Sequence, residues 1–549
     1  MLFSEEKIAT IHADLSRKKV TFKSYTQEQQ FLFPKNLNDF VGQGHIARLV
    51  SIIIDQMDTS FITATYKGGG TSAYEPKMLL KVWILGFIYK IYSCRILAKN
   101  LRENLPFIWT SGNQNPDFRT LNNFRLRLKE DIKKIFKQIV IYALENKIID
   151  AKDVFIDHTK REANANKYKI VWKKQVEKQL AKMDQELESL FNYIDKVNEE
   201  EENIFAGKDI PEQERQHFDQ GKVREIVDKI NQKVKNNEKT KEKAKEQKEK
   251  IRRISQLQQR QEEYKNKKQI LAGKNSFSKT DHDAVAMMMK DKLTIRPAYN
   301  EGIVVEHGFV LNYVISQNCG DSVSFIPLME GVIDNLQKAP ENANSDAAYG
   351  NEENMSYLEQ KGIGNYLKYN LFQKEKSKKW KAEKFRFQDF IYDKEKDEFT
   401  CPNNTKLKFV EQREEEKNKH IKQIKKYKAE EGHCTTCPFH SKCTKGEARN
   451  LELSWNGERL KQQAKTNLES NKGKELRKKR GNEVESIFGD QKLNKDKKRY
   501  NLRGLVKVNL EAGIYYIAHN LRKIQRWKLL TSQKGLFLEQ KSFMHFVAG

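Results

Sequence analysis

Cysteine is scarce in this chain, with 6 in 549 residues. That is too few and too scattered for the disulfide framework of a small secreted domain. Long apolar runs are also missing. The most apolar stretch, Met78 to Tyr92 (MLLKVWILGFIYKIY), carries Lys81 and Lys90. It falls short of the roughly 20 residues a bilayer span needs, so it reads as a buried core helix. The opening MLFSEEK is acidic and has no apolar segment, so no signal peptide and no membrane partner are expected. Negative charge is in deficit: 75 Asp+Glu face 102 Lys+Arg, a net +27. What is abundant is aromatic side chain, with 29 Phe, 20 Tyr and 6 Trp, too many for a disordered chain. The length suggests three or four domains. A large basic chain points to polyanions, although lysine could serve solubility alone. A reducing cytoplasm is the expected location, and there clustered cysteines read as metal ligands before they read as bridges.

The patterning divides the chain. Residues 1–150 read as a helical DNA-binding domain, with an amphipathic helix over His45 to Met57, one opened by Pro76, and one over Ile132 to Leu144. The segment Phe118 to Leu128 places Arg119, Arg125 and Arg127 on a short helix as candidate DNA contacts, although arginines on a solvated face would look the same. Val154 to Ile156 reads as a short buried strand ending at Asp157, within residues 151–172. Residues 173–270 change character. Val176, Leu180, Met183, Leu187, Leu190, Ile194 and Val197 step by fours and threes, the seam of a coiled coil. Gly207 and Pro211 break it, and Val223, Ile226, Ile230 and Val234 continue in a second segment, which together suggest an antiparallel helical arm. Within 271–372 the period becomes two, with a hairpin of Tyr299 to Val305 and Phe309 to Ser316 turning at Glu306-His307-Gly308. A helix from Ser324 to Leu336 and a strand ending at Asp346 follow. Residues 373–450 form a smaller cysteine-bearing insertion, and 451–549 return to helix, with Glu485 to Lys492 on one piece and Leu510 to Trp527 on another.

Asp157 and Asp346 stand at the ends of short apolar strands, and Glu485 lies on a helical segment ahead of Lys492. Two-metal phosphoryl transfer needs such a carboxylate set, holding ions about 3.5–4 Å apart. Hard Mg²⁺ or Mn²⁺ selects oxygen donors over His or Cys. Singly, each acid is unremarkable, because strand-end aspartates commonly cap turns.

Three segments, IDHTKREANANKYKIVWKK from Ile156, SDAAYGNEEN from Ser345 and KKRGNEVESIFGDQK from Lys478, together resemble the acidic motifs of bacterial insertion-sequence DDE transposases. The nearest likeness is to the group numbered eleven-eighty-two. YEPKMLLKVWILGFIYKIYSCRILAKNLREN and NPDFRTLNNFR resemble the N-terminal part of these enzymes, and YNLRGLVKVNLEAGIYYIAHNLRKI their C-terminal end. The resemblance implies an α+β multidomain chain whose RNase H-like core is interrupted by the helical arm and the cysteine insertion. It implies that Asp157, Asp346 and Glu485 bind two Mg²⁺ (or Mn²⁺), with Arg480 and Lys492 near the DNA; Lys160 and Arg477 are further candidate DNA contacts. Two departures stand out: His158 where the family usually has Gly, and Arg477 where a Tyr often stands.

Cys401, Cys434, Cys437 and Cys443 offer four thiolates, the number a closed tetrahedral Zn²⁺ site requires, with His433 and His440 as substitutes. Cys94 and Cys319 read as buried hydrophobes. The function expected is therefore DNA cleavage at element ends and joining of the freed 3′-hydroxyl to target DNA. The partners would be double-stranded terminal inverted repeats and target DNA, bound by a homodimer near a bacterial nucleoid. A catalytically silent DNA-binding protein derived from such an enzyme is the alternative. A coiled-coil scaffold is a third reading, but it needs neither the strand-end acids nor the long two-period region. Glu483, two residues from Glu485, would serve as a control that points away from the site.

Overall fold

The computed structural model describes residues 36–66, 72–202, 224, 227–228, 238–291, 293–382, 385–417 and 420–533. Its centre is a mixed sheet built from β1 (Asp153–Glu162), β2 (Val285–Met288), β3 (Ile295–Glu306), β4 (Phe309–Ser316), β5 (Asn342–Ser345) and β6 (Gly364–Leu367). The order is β4-β3-β1-β5-β6, with β2 also pairing the start of β3. β1 runs antiparallel to β3 and parallel to β5, and β5 runs parallel to β6. Val154, Phe155 and Ile156 are all buried, as an unbroken apolar run in a strand covered on both faces should be. β1 continues five residues beyond Asp157, so this acid sits mid-strand rather than at the strand end expected from the sequence. The polar tail HTKRE hides the strand because its partners are distant.

Helices cover the sheet. Ile46–Gln56, Pro76–Ile88, Phe118–Arg127 and Ile132–Glu145 lie close to the ranges the sequence suggests. Pro76 occupies the first helical turn, where its missing N–H costs nothing. The C-terminal helix, Leu505–Gln533, packs on β4 and on the helices Pro76–Ile88 and Ile132–Glu145. One continuous apolar core therefore runs from the N-terminal helices through the sheet into the C-terminal helix.

A charged group is buried within that core. Arg161 and Glu301 pair at 3.1 Å with both side chains fully buried. Tyr516 donates to the same carboxylate at 2.8 Å, and the Arg161 guanidinium lies 3.7 Å from the centre of the Tyr500 ring. Desolvating both ions is costly, and these extra contacts offset part of it. They tie β1, β3 and the C-terminal helix in one register.

Two excursions leave the core. The arm consists of helices Lys173–Glu202 and Glu238–Ile270, rooted on a two-stranded ribbon of Ile170–Trp172 and Ser276–Ser278. Val176, Leu180, Met183, Leu187 and Ile194 pack with Ile251, Ile254 and Leu257. Arg253 reaches Glu186 and Gln261 reaches Asp184, so the helices run antiparallel. The readings at Gly207, Pro211, Val223, Ile226, Ile230 and Val234, and at the Val197 side chain, fall outside the described residues. The second excursion is a five-stranded antiparallel sheet from Ile391–Asp393 to Asn450–Leu453, with its own core of Phe390, Phe399, Leu407, Tyr427 and Leu451. No helix among the described residues is long and apolar enough to cross a membrane.

Candidate active site

β1 and β5 are parallel neighbours, with Ile156 opposite Ser345. Asp157 and Asp346 each follow one of that pair, so the sheet itself brings the two carboxylates side by side. Arg480 lies between them. Its Nη2 is 3.4 Å from an Asp157 oxygen and 3.6 Å from an Asp346 oxygen, and its side chain is only 13% exposed. Burial pushes the Asp157 carboxyl above its ordinary range, and the Arg480 guanidinium pulls it partly back. The other Asp157 oxygen accepts the N–H of His158 at 2.8 Å, and Asp346 accepts that of Ala348 at 3.0 Å. Among the described residues, both acids thus keep one oxygen whose one partner is the guanidinium.

Arg480 ends the helix Asn471–Arg480, after which the chain winds through two π-helical stretches, Gly481–Glu485 and Asp490–Asn494. The single helical piece expected over Glu485 to Lys492 is therefore wound unevenly. The first stretch packs against β1 and β3. Glu485 closes it with an exposed side chain, and among the described residues it makes no hydrogen bond or ion pair. The structure thus joins Asp157 to Asp346 through Arg480 and leaves the Glu485 carboxylate apart from them. Glu483 is no idle neighbour, because its carboxylate accepts the N–H of Gly308 at 2.5 Å at the hairpin tip. Wider winding turns it toward that hairpin, so it is unsuitable as a silent control.

Cations surround the two aspartates. Lys492 donates to the Thr159 hydroxyl, and burial lowers its pKa to about 8. Lys290 exerts its field on both Asp157 and Lys492. Burial lowers the Lys368 ammonium, and Arg480 and Arg477 lower it further. Sequence reading missed Lys290 and Lys368, since neither lies in an acidic motif and only the fold carries them here. It also missed Tyr349, three residues after Asp346, whose hydroxyl bonds Nδ1 of His158. His158 is buried and held neutral, with a pKa lowered to about 4 by desolvation. Its ring covers Gly302 on β3 so closely that a Cβ there would stand 2.3 Å from Nε2. With the imidazole of His158 in this place, the cross-strand position has room only for Gly.

The other candidate DNA contacts divide. Arg119 and Arg127 are exposed. Arg125 is not: it is 6% exposed, stacks 4.5 Å from the centre of the Trp83 ring and bonds Asn122. It is a packing residue of the helical core, and the expectation that it reaches a duplex is corrected on that ground. Lys160 is half-buried and lies 3.7 Å from Asp321. Arg477 lies over Phe372, with Nε donating to the Gly473 carbonyl.

Cys401, Cys434, Cys437 and Cys443 line one cavity of about 20 Å³, although no three of their sulfurs lie within 4.8 Å of one another. Backbone N–H groups of Asn403 and Thr405 donate to the Cys401 sulfur at 3.3 and 3.2 Å, that of Arg449 donates to Cys434 at 3.4 Å, and burial pushes the Cys443 thiol up. Asp150, Glu306 and His307 have ligand atoms within 4.8 Å of one another, the one such group among the described residues. Glu306 there is already occupied by the N–H groups of Asp150, Ala151 and Lys152.

Residues 400–525 match the family described as Transposase DDE domain. Residues 35–127 match Transposase domain (DUF772). The chain is similar to DDE transposases. No curated protein and no solved structure matches it. The first match takes in Arg480, Glu485, Lys492 and all four clustered cysteines; the second takes in Arg119, Arg125 and Arg127. The family implies an enzyme acting on DNA.

Proposed function

We propose that this protein is an insertion-sequence DNA transposase of the group numbered eleven-eighty-two, with an RNase H-like core. In this reading Asp157, Asp346 and Glu485 hold the divalent metal. One observation carries it: Asp157 lies within the first sheet strand and Asp346 directly after its parallel neighbour, and both face one cation. The strand order, with an antiparallel hairpin on one side of β1 and parallel strands on the other, supports the RNase H-like assignment.

Two carboxylates that converge on a guanidinium form an anionic pair suited to hard cations, so the donor set fits Mg²⁺ or Mn²⁺. Such a metal pair, when bound, would activate water and then a 3′-hydroxyl and stabilise the leaving oxygen. Arg480 serves as the internal counter-ion of the aspartates and turns to the DNA phosphate when they are otherwise neutralised. Lys492, Lys290 and Lys368 draw the polyanion in, and Arg477 adds charge at the helix end. Arg119 and Arg127 remain as duplex contacts on the N-terminal helices. Glu485 joins the aspartates through a side-chain movement, because its exposed carboxylate is unpartnered. The four cysteines would hold a structural Zn²⁺ by closing around the cavity they line, and that ion would staple the small sheet. Two element ends must be brought together, which implies a homodimer on DNA in the bacterial nucleoid.

The test is Mg²⁺-dependent nicking of duplexes carrying the ends of the surrounding element. Asp157→Asn and Asp346→Asn should abolish nicking while leaving metal-free DNA binding intact. Retention of full nicking by both variants would overturn the assignment. Wild-type protein that binds these ends but never nicks would instead support the catalytically silent alternative.

A further inference from the structure

A cleft of about 550 Å³ opens where β1 ends, walled by Glu162, the loop through Tyr168, Arg296 of β3, and Arg499 and Arg503. Its location is fixed by the sheet. Glu162 bridges to Arg499, and the Tyr500 N–H donates to the Glu162 carbonyl at 2.9 Å, so the 499–503 segment is pinned to the end of the strand that carries Asp157.

The charge in this cleft is fixed in place without being neutralised. Arg499 donates through Nε to the Ala163 carbonyl at 2.8 Å and through Nη2 to that of Ala165 at 2.7 Å. Arg503 donates through Nε to the Asn164 carbonyl at 2.7 Å. Carbonyls orient the guanidiniums but carry no charge, and further N–H donors on each remain uncommitted. Arg296 is paired with Glu162, the one acid in the wall. Among the described residues Arg499, Arg503 and Lys167 have no carboxylate partner. Lys167 projects over the ring of Tyr168, which is 82% exposed. An exposed ring and a row of oriented cations form a surface for a phosphodiester chain and not for a small apolar ligand.

We propose that this cleft is a second DNA-backbone site, separate from the aspartates, that grips phosphates of the bound duplex. The proposal rests on the transposase reading for its choice of partner. From Asp157 to Glu162 is five residues, about 17 Å along a strand. At about 3.4 Å per nucleotide of B-DNA, the cleft lies within about five nucleotides of the aspartates. It therefore sets how DNA lies across the site, by position and not by sequence.

The experiment measures affinity for a fluorescein-labelled 40-base-pair duplex in EDTA across a salt series. Each phosphate contact contributes about 0.9 to the slope of log affinity against log salt. Lys167→Gln/Arg503→Gln should flatten the slope by about 1.8, and Lys167→Gln alone by about 0.9. The charge-matched control Lys152→Gln/Lys338→Gln, at the other end of β1, should change it by less than about 0.5. Among the described residues the Lys167 ammonium has no ion-pair partner and lies over the Tyr168 ring, so the single variant reports even if the double one loosens the loop. Equal slopes for cleft and control variants would overturn the proposal. A slope difference between cleft and control variants, with no Mg²⁺-dependent nicking by the wild type, would sink the enzyme reading and leave the cleft standing. Wild-type protein that binds no duplex would remove both.

Discussion

The carboxylate pair and the cysteine knob are both candidate metal centres, yet they are assembled over very different lengths of chain. Asp157 and Asp346 are 189 residues apart, and Arg480 lies another 134 beyond. Only the β1–β5 pairing and the helix Asn471–Arg480 bring them together. Cys434, Cys437 and Cys443 lie within ten residues, and Cys401 joins them across a single sheet. The first centre depends on the whole core. The second depends on a small module whose apolar cluster is its own. Damage to the core should therefore reach the chemistry, whereas damage to the knob should stay local.

The largest expected effect is at the carboxylates. Asp157→Asn should lower nicking by at least about 1000-fold, because it removes metal-holding charge without changing shape. DNA affinity in EDTA should stay within a few-fold, and a large loss of binding would mean that Asp157 acts structurally.

Next comes the buried frame behind the site. Arg161→Met strands the Glu301 carboxylate in the core and should cost about 3–5 kcal/mol. Chemical denaturation would measure this, and a cost below about 1 kcal/mol would show that the core does not depend on the pair.

A third effect depends on pH. His519 is buried, donates through Nε2 to the Gly308 carbonyl at 3.0 Å, and has its pKa lowered to about 4 by desolvation. Between its folded pKa and about 6.5 the unfolded chain binds the extra proton. Stability contributed by neutral His519 is thus full above about pH 6.5 and is lost as pH falls toward 4, by up to about 3 kcal/mol. His519→Gln should flatten the melting temperature over that window. An unchanged slope would assign acid sensitivity to other groups.

The smallest global effect should come from the knob. Cys437→Ser should lose about one Zn per chain by metal analysis. Nicking should stay within about threefold, since the thiolates are not the hydrolytic centre. Protein purified without chelator that carries no Zn would remove the zinc assignment, and a collapse of nicking would erase the contrast between the two centres.

Helices with clear periodicity or a proline start were legible in the sequence, as was the hairpin turning at Glu306-His307-Gly308. The antiparallel pairing of the arm's described parts also follows from its seam. The length of β1 was not legible, because HTKRE is polar by composition and buried only through partners such as Glu301 and Tyr349. Arg125 looked like a surface cation for the opposite reason: its burial depends on Trp83, which lies on another helix.

The sequence alone determined charge balance, helix periods, the local cysteine cluster and the acidic motifs, all of which depend on residue type and near neighbours. Tertiary structure alone decided which acids meet, that Arg480 stands between two of them, and that Glu485 faces solvent. It also decided that Glu483 holds a hairpin tip and that Arg499 and Arg503 keep their charge on neutral carbonyls. The reason is physical. Burial and electrostatic pairing are properties of space, and strand pairing across hundreds of residues sets that space without leaving a local pattern in the chain.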